Sequence, residues 1–427
     1  MVKKNLSLNP VVLAAFICAA CVYAFPLKIK ASPAFCSLLN EQNIASISGE
    51  FSSNVVRSGS GKYYSAAIHA ESVSDSAGTG SQAKGKVSVL LPAEFAEAFL
   101  PGKYFTKAKE NSLVCEQGKR VRLYGRFAQK QEDSGDSSVF VVRYAESLPE
   151  KSGIVHSLLK IRGISRINFR RLMYSWGNAG GLLLALLSGI REYTEADVSD
   201  AFRLSGLSHV LALSGMHLSL FSGLFKKTGR FLGQKLSSLL QILAVLAFVW
   251  FAGISPSLFR AMLCSMMLLF LSLLNIKNVK MLSVLSVSFL AHIILRREDI
   301  VSLSFILSYG ALAGILVLGN FCSMVNIARI PSLISSSLGA SAGAQIFTAP
   351  VSLRCFSMFA PAGIISTVII SPLISIFIYS GLFFIFLCLI FPVFVPFSSF
   401  LLNIQYNVIK QLVLIFAAFP CISTAVQ

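Results

Sequence analysis

Long runs without a charged residue dominate the second half of the chain, and the longest covers residues 355–409. A helix needs only about 20 apolar residues to cross the hydrocarbon core of a bilayer. Apolar residues make up 55% of the 427 residues, and charged residues make up only 13%. These features exclude an ordinary soluble protein and predict a polytopic α-helical membrane protein with eight to ten membrane segments.

The chain divides by composition into four parts. Residues 1–28 contain Lys3 and Lys4 followed by an uncharged run, which predicts an N-terminal transmembrane helix whose start lies in the cytoplasm. A signal-peptidase site after Ala24 and a lipoprotein-like Cys21 are competing interpretations of this segment. Residues 151–175 alternate basic and apolar side chains, which is typical of an amphipathic helix on the membrane surface. Residues 176–427 are the predicted membrane domain.

Residues 29–150 have the pattern of a small β domain. Short alternating stretches of polar and apolar residues are separated by turn-forming segments such as residues 75–85 and 132–138, and such alternation is the strand signal. Five of these stretches around a helix-like segment at residues 93–100 predict an inserted, extracytoplasmic, small β-barrel of the OB type. A disulfide between Cys36 and Cys115 is a hypothesis that depends on the extracytoplasmic location.

The positive charge is concentrated in the membrane part. Residues 151–427 contain 20 Lys and Arg but only six Asp and Glu. The bias of short cytoplasmic loops toward Lys and Arg is one interpretation. Attraction for a polyanion such as a nucleic-acid backbone is the other.

The uncharged stretch at residues 204–225 is unusually polar for a lipid-facing helix, because it holds two histidines, five serines and three glycines. If it is one helix, His209 and His217 lie about 80° apart on it and share a broad face. Polar groups at membrane depth usually face a protein interior or a water-filled cavity. The stretch therefore predicts a pathway-lining or re-entrant segment, with a polar helix–helix seam as the alternative. The candidate pathway residues are His209, Ser214, Gly215 and His217.

The same stretch resembles the hallmark segment of the ComEC family of competence proteins. The matching positions are Gly206, His209, Leu211, Ala212, Ser214, Gly215 and His217. The resemblance implies a cytoplasmic (inner) membrane, multi-pass channel that translocates single-stranded DNA into the cytoplasm during natural transformation. It also implies an OB-like domain after the first helix and a competence (channel) domain over residues 176–427.

Further segments extend the resemblance along the membrane part. They are Phe259-Arg260-Ala261, the segment from Phe305 to Gly314, and Thr348-Ala349-Pro350 with the residues up to Pro372. Ile306 and Thr367 replace amide residues of the family pattern, and Ile190 replaces an acid. Arg203 and Arg260 are placed at the ends of the DNA pathway, where Arg260 is interpreted either as a phosphate contact or as an interfacial arginine that snorkels.

Basic and aromatic residues of the β domain are candidates for single-strand contact, because OB folds bind strands through such faces. They are Lys62, Tyr64, Arg120, Arg122 and Tyr124. An ordinary folding or interaction module with surface lysines is the alternative.

The sequence contains no phosphate-binding loop, paired-cysteine site or HExxH motif, so we predict no cofactor, no metal and no enzymatic activity. Many ComEC-family members carry a C-terminal metallo-β-lactamase-like domain, whose His-rich motif is missing after His292. The expected partners are therefore single-stranded DNA, the lipid bilayer, a DNA receptor, a translocase and a separate nuclease. Two other hypotheses are a small-solute or lipid transporter and an intramembrane hydrolase that uses Ser214 with a histidine.

Overall fold

The structure is a computed structural model, and it describes residues 10–24, 35–53, 55–57, 62–92, 117–128, 139–149, 153–191, 193–229, 233–276, 278–319 and 332–423. They form two compact units. One is Lys30–Ser175, and the other combines Met1–Ile29 with Trp176–Gln427.

The first unit contains a closed five-stranded β-barrel. The strands described in this unit are β1 (Cys36–Ser37), β2 (Ile44–Phe51), β3 (Val56–Arg57), β4 (Tyr63–Asp75), β5 (Gly80–Lys84), β6 (Lys86–Pro92), β7 (Arg120–Phe127) and β8 (Val139–Ser147). The barrel itself consists of β2, β4, β6, β7 and β8. Antiparallel pairs join β4 to β2, β2 to β7, β7 to β8 and β6 to β4, and a parallel pair between β6 and β8 closes the ring. The prediction of an OB-like barrel is confirmed, while the helix-like segment at residues 93–100 lies outside the described residues.

Alternation along the strands explains how the barrel forms. In β4, Tyr64, Ala66, Ile68 and Ala70 are buried, while the residues between them face outward to a larger degree. Successive side chains of a strand point to opposite faces, so one side of each strand supplies the interior. That interior joins residues from all five long strands into one apolar core.

Helix α2 (Ile154–Ser175) follows the barrel in the same unit. Three of its arginines are buried, namely Arg162, Arg166 and Arg170, and Arg162 donates a 3.0 Å hydrogen bond through Nη1 to Gln117 Oε1. Five apolar residues in the first half of the helix are exposed, namely Ile154, Val155, Leu158, Ile161 and Ile164. An exposed apolar stripe fits an interfacial helix, and its position on a membrane surface stays a prediction.

The second unit is helical. Its elements are α1 (Pro10–Ala24), α3 (Gly177–Ser188), α4 (Ala196–Leu204), α5 (Ser208–Leu211), α6 (Gly215–Gly229), α7 (Gln234–Ala252), α8 (Pro256–Leu273), α9 (Met281–Leu295), a 3₁₀ turn (Arg297–Val301), α10 (Leu303–Gly314), a π turn (Ile315–Gly319), α11 (Ser332–Phe356), β9 (Met358–Phe359), α12 (Gly363–Ile390), a 3₁₀ turn (Pro392–Phe394), α13 (Val395–Ala417) and β10 (Ile422–Ser423). Strands β9 and β10 pair with each other.

Four stretches in the described part of the chain are long and apolar enough to cross a membrane: Gln234–Ala252, Pro256–Leu273, Gly363–Ile390 and Pro392–Ala417. Four further apolar helices are shorter, at Pro10–Ala20, Gly177–Ser188, Met281–Leu295 and Leu303–Gly319. The protein is thus a membrane protein, but four full-length spans are fewer than the eight to ten that the uncharged runs predict. The difference arises because several runs are divided into short helices by turns, and because α11 is long but rich in serine.

Helices α10 and α11 approach so closely that their backbones touch. A Cβ atom added at Gly314 would lie 2.2 Å from the carbonyl oxygen of Gly343, and one added at Gly343 would lie 2.6 Å from that of Gly314. Small residues at such crossings let helices pack backbone to backbone inside a membrane. The crossing lies directly before the π turn at Ile315–Gly319.

Candidate functional site

The polar stretch at residues 204–225 is broken into pieces and is not one helix. Helix α4 ends at Leu204, and Gly206 adopts a left-handed conformation with φ of +74°. Helix α5 spans only Ser208–Leu211, and Ala212 is extended with ψ of 138° before α6 starts at Gly215. The prediction that His209 and His217 share a helical face is therefore wrong, because the backbone leaves helical geometry twice between residues 204 and 215.

Ser214 and His217 close the start of α6. The backbone N–H of Ser214 donates to His217 Nδ1 at 3.1 Å, and Ser214 Oγ lies 3.2 Å from the same nitrogen. Ser214 directly precedes the helix and His217 is its third residue, which is the spacing of a capping box, here with histidine in the place of the usual Glu or Gln. This arrangement fixes the imidazole. His217 is 1% exposed, and its Nε2 has no hydrogen-bond partner among the described residues.

Helix α8 brings Arg260 to the same turn. Ser255 caps the start of α8, and Ser257 Oγ donates a 2.6 Å hydrogen bond to the Leu213 carbonyl. A Cβ atom placed on Gly215 would lie 3.5 Å from Arg260 Nη2 and 3.4 Å from the Ala261 side chain. Since Gly215 has no side chain, the guanidinium group sits against the α6 backbone.

Two contacts from α10 orient Arg260. Its Nη1 donates to the Ser308 carbonyl at 2.7 Å, and its guanidinium carbon lies 5.9 Å from the centre of the Tyr309 ring, within the range of a cation–π contact. Arg260 Nε is buried and has no partner in the part of the chain that the structure describes. We call Ser214, Gly215, His217 and Arg260 the turn site.

The other two predicted pathway residues lie apart from these contacts. Arg203 has a 63% exposed side chain and pairs with Asp200 one helical turn away at 3.6 Å. His209 is exposed, and its Nδ1 lies 3.1 Å from the Gly206 carbonyl. The structure thus brings four of the six predicted residues together and leaves Arg203 and His209 outside the turn site.

The turn site has the chemistry of an anion contact. Arginine stays charged in proteins and offers several donors in a fixed geometry, and Arg260 Nε has no partner among the residues that the structure describes. The Ser214 hydroxyl is in contact with His217 Nδ1, as in a pair of nucleophile and general base. The other ring nitrogen, Nε2, has no partner in the described chain that could orient the ring. A hydrolase needs a third group to orient the base, so the geometry favours binding over nucleophilic catalysis.

Comparison with known proteins supports one family. A family model described as Competence protein matches residues 186–427, which is more than half of the chain. The chain belongs to the Competence protein family. The whole turn site lies within the matched residues.

A curated relative of this Competence protein is the ComE operon protein 3 of Bacillus subtilis (strain 168). The two are 36% identical over 87 residues, which is 20% of this chain and 11% of the relative's length. The match therefore covers only a small part of that protein. No solved structure matches the chain.

A second polar cluster in this Competence protein joins helices that are distant in sequence. The Glu195 carboxylate accepts hydrogen bonds from Asn178, Tyr406 and Lys410. The hydrogen bond from Lys410 is the main reason that the pKa of Glu195 is lowered from its usual value, and Tyr406 adds to the effect. Since Lys410 lies 215 positions along the chain on α13, this contact ties the start of α4 to the last long helix.

The predicted DNA contacts of the barrel differ in whether a carboxylate already binds them. Lys62 is exposed, and so is Arg122, whose Nε donates to Ser48 Oγ at 3.1 Å. Arg120 is bound to Glu71 at 2.6 Å and to the Pro149 carbonyl at 3.2 Å. Tyr124 donates to Glu146 at 3.2 Å. Arg122 and Lys62 are therefore the cations of this set that no carboxylate holds within the described residues.

Tyr64 is not available for base stacking. Only 3% of it is exposed, and it belongs to the apolar core of the barrel. Its neighbour Tyr63 is 36% exposed, because the two alternate across β4. The prediction that Tyr64 is a surface contact is wrong, and Tyr63 occupies the outward position next to it.

A shallow cavity lies on the outer face of β4 and β6. Its volume is about 440 Å³, and its lining includes Ser65, Lys86, Ser88 and Val139.

Cys36 is exposed, while Cys115 lies outside the described residues, so their disulfide stays a hypothesis.

Proposed function

We propose that this Competence protein is an inner-membrane, multi-pass channel that carries single-stranded DNA into the cytoplasm during natural transformation. The family membership, the printed name of the Bacillus subtilis relative and the apolar helices support a membrane component of DNA uptake. The observation that carries the proposal is the Arg260 guanidinium: its Nη2 lies against Gly215, and its Nε is buried with no partner among the described residues. An unsatisfied cationic donor inside a membrane unit is costly unless a ligand completes it.

The turn site would contact the strand through its phosphates. Arg260 is held by Ser308 and Tyr309. Because its side chain is already ordered, binding a phosphate would cost little further conformational entropy. The breaks around α5 supply irregular backbone, which membrane proteins tolerate where it is buried or lines a water-filled cavity. Short, interrupted helices of this kind commonly build the pathways of transporters.

The barrel would hold the strand before it enters the membrane domain. Arg122 and Lys62 offer charge at its surface, and sequence-independent single-strand binding needs charge combined with stacking. A DNA receptor would deliver the duplex, a separate nuclease would remove one strand, and a translocase would drive the other.

Uptake of labelled DNA in cells that lack the gene tests this proposal. The deletion strain is complemented with the wild-type gene, with Arg260→Gln or with Arg354→Gln, which changes an exposed arginine on α11. We expect deletion to abolish internalisation but not surface binding. We expect Arg260→Gln to lower internalisation about tenfold, the effect of losing one charge-assisted hydrogen bond, and Arg354→Gln to restore it.

DNA entry that is unchanged by deletion would overturn the proposal. The small-solute or lipid transporter would then take its place. Full rescue by Arg260→Gln, at equal protein level, would leave the DNA role standing and remove the turn site from the pathway.

A further inference from the structure

A buried histidine cluster lies at the end of α9, away from the residues predicted from sequence. His292 is 0% exposed, and Asp299 and Tyr309 are each 7% exposed. His292 Nε2 lies 3.1 Å from Asp299 Oδ2, and His292 Nδ1 lies 3.2 Å from the Tyr309 hydroxyl. That hydroxyl lies 3.1 Å from the carbonyl oxygen of Ser288.

These three contacts need three hydrogens, but a neutral His292, a neutral Tyr309 and an ionised Asp299 supply only two. A neutral imidazole has one N–H, a phenol has one O–H, and a carboxylate and a carbonyl have none. If His292 carries its hydrogen on Nε2, then Nδ1 and the Ser288 carbonyl compete for the one hydrogen of Tyr309. If it carries the hydrogen on Nδ1, then Nε2 faces Asp299 Oδ2 with no hydrogen between them. In both tautomers one of the three contacts lacks a hydrogen.

One added proton completes the set. With both ring nitrogens protonated, Nε2–H donates to Asp299, Nδ1–H donates to the Tyr309 oxygen, and the Tyr309 O–H donates to the Ser288 carbonyl. We propose that His292, Asp299 and Tyr309 form a proton-binding site in the membrane unit, in which one proton is held between His292 and Asp299. The proton comes from water and no covalent bond between heavy atoms changes.

The surrounding charges are consistent with a site that gains and loses a proton. Asp299 also forms an ion pair with Arg296, whose Nε lies 3.0 Å from Oδ2, and Arg296 pairs with Glu298 at 3.5 Å. Among the side chains that the structure describes, Arg260 and Cys264 on α8 and Cys18 on α1 are further titratable or charged groups of the packed helices. Arg296 and Arg260 oppose a positive imidazolium, while the two carboxylates favour it. Burial of the ring disfavours the imidazolium, while the hydrogen bond to Asp299 and its charge favour it.

Protons have a short route to the site. The Asp299 carboxylate is bound to Arg296, whose side chain is 26% exposed. Neighbouring Val301 on the same 3₁₀ turn is 67% exposed. The Glu298 side chain beside Asp299 is 60% exposed, so we expect exchange with water from this charged side, while Phe259 and Phe305 cover His292 with rings 4.8 Å from its own.

The site does not depend on what the membrane unit transports, so its test is made on the protein alone. The full-length protein in lipid nanodiscs is labelled with ¹⁵N-histidine, and nitrogen NMR distinguishes an imidazolium from a neutral ring. The chain has only five histidines, and a His292→Gln sample assigns the His292 signals. We expect the wild-type His292 to be cationic over part of the range from about pH 5 to pH 8, which brackets the ordinary value for histidine.

Two variants remove the need for the added proton. In Asp299→Asn an amide N–H can donate to His292 Nε2. In Tyr309→Phe both contacts of the hydroxyl are lost, so a neutral ring with its hydrogen on Nε2 satisfies the remaining contact with Asp299, while the aromatic ring beside Arg260 is kept. We expect the midpoint of the His292 titration to fall by at least about one pH unit in both variants, which is a tenfold change in proton affinity. Asp200→Asn and Tyr406→Phe are the matched controls, and they should leave it unchanged.

A His292 ring that stays neutral throughout the range in the wild-type protein overturns the proposal. An unchanged midpoint in both variants overturns it as well. A ring that is cationic throughout in the wild type, and neutral in Asp299→Asn at the upper end of the range, supports it. Tryptophan fluorescence from Trp176 and Trp250 shows whether each variant is folded. If Asp299→Asn does not fold, the His292 midpoint in Tyr309→Phe alone decides the outcome.

Discussion

Ser257 donates its hydroxyl hydrogen to the Leu213 carbonyl at 2.6 Å, and this contact joins two residues that lie 44 positions apart in the chain. Leu213 belongs to the turn between α5 and α6, and Ser257 lies in the first turn of α8. The bond therefore fixes the distance between the α6 start and Arg260, three residues further along α8. The geometry of the turn site depends on a residue that does not itself contact the proposed ligand.

Removing this bond should loosen the turn site. We expect Ser257→Ala to cost about 1 kcal/mol of stability, the usual net value of one hydrogen bond, and to lower DNA internalisation without changing surface binding. Thermal unfolding in detergent and the uptake assay measure the two effects. Ser375→Ala is the control, because Ser375 bonds only to Ser371 within its own helix. Equal effects of both changes on uptake would contradict the argument.

Gly206 should not tolerate a side chain. Its φ is +74°, and an added Cβ atom would lie 2.9 Å from the Gly363 Cα and 3.2 Å from the Ala360 carbonyl oxygen. Both obstacles are backbone, so we expect Gly206→Ala to destabilise the protein by about 1–3 kcal/mol and to reduce the folded yield. Gly223→Ala is the comparison, since its nearest neighbour is the Tyr379 hydroxyl at 3.7 Å. Size-exclusion chromatography after heating measures both, and equal losses would contradict the prediction.

Acid should weaken the contact between Glu195 and Lys410. The pKa of Glu195 is lowered in the folded protein, chiefly by the hydrogen bond from Lys410. The folded state therefore binds the Glu195 proton less tightly than the unfolded state does, and the pair stabilises the fold above the unfolded value of about 4.3. That stabilisation is lost as the pH falls through the lower folded value.

Glu195→Gln tests this dependence. We expect the variant to be less stable than the wild type at neutral pH, with the difference shrinking as the pH falls below about 4.3. Asp197→Asn, which changes an exposed acid on the first turn of α4, should show no such convergence. A difference that stays constant with pH would assign the effect of Glu195→Gln to lost packing.

Arg122 and Arg120 should contribute differently to single-strand binding by the barrel. Arg122 has no carboxylate partner in the described chain, while Arg120 is bound to Glu71 at 2.6 Å. We expect Arg122→Gln in the full-length protein to weaken binding of a labelled oligothymidine and to reduce the salt slope by about one counterion. Arg120→Gln should reduce the slope less. Equal slopes in the wild type and both variants would remove β7 from the binding face.

The strands of the barrel could be predicted because alternation is a local signal. The runs that contain Val87 and Val121 each keep one apolar side, and the structure uses that side as the core. Two adjacent aromatic residues alone do not, however, show which of them points inward. In β4 the neighbouring residues decide: Tyr64 shares the side of Ala66 and Ile68 and is buried, whereas Tyr63 holds the outward position.

The membrane unit was less predictable, for a different reason. Uncharged length identifies α7, α8, α12 and α13, but it does not show where a run is divided. Gly206 was one available signal, since glycine is favoured where a helix ends in the left-handed conformation. His292 also had a signal, as the one histidine in the apolar run at residues 281–295, but only the fold shows that Asp299 and Tyr309 face it.

The parallel pairing of β6 and β8 has a consequence for biogenesis. The strand that completes the ring is the last one of the barrel in the chain, and β6 and β7 both rely on it as a neighbour. Until Ser147 has emerged during synthesis, both strands keep an open edge that invites pairing with other chains. A truncation before β8 should therefore yield an aggregating fragment in place of a smaller barrel, and chaperone protection should be needed until that residue is available.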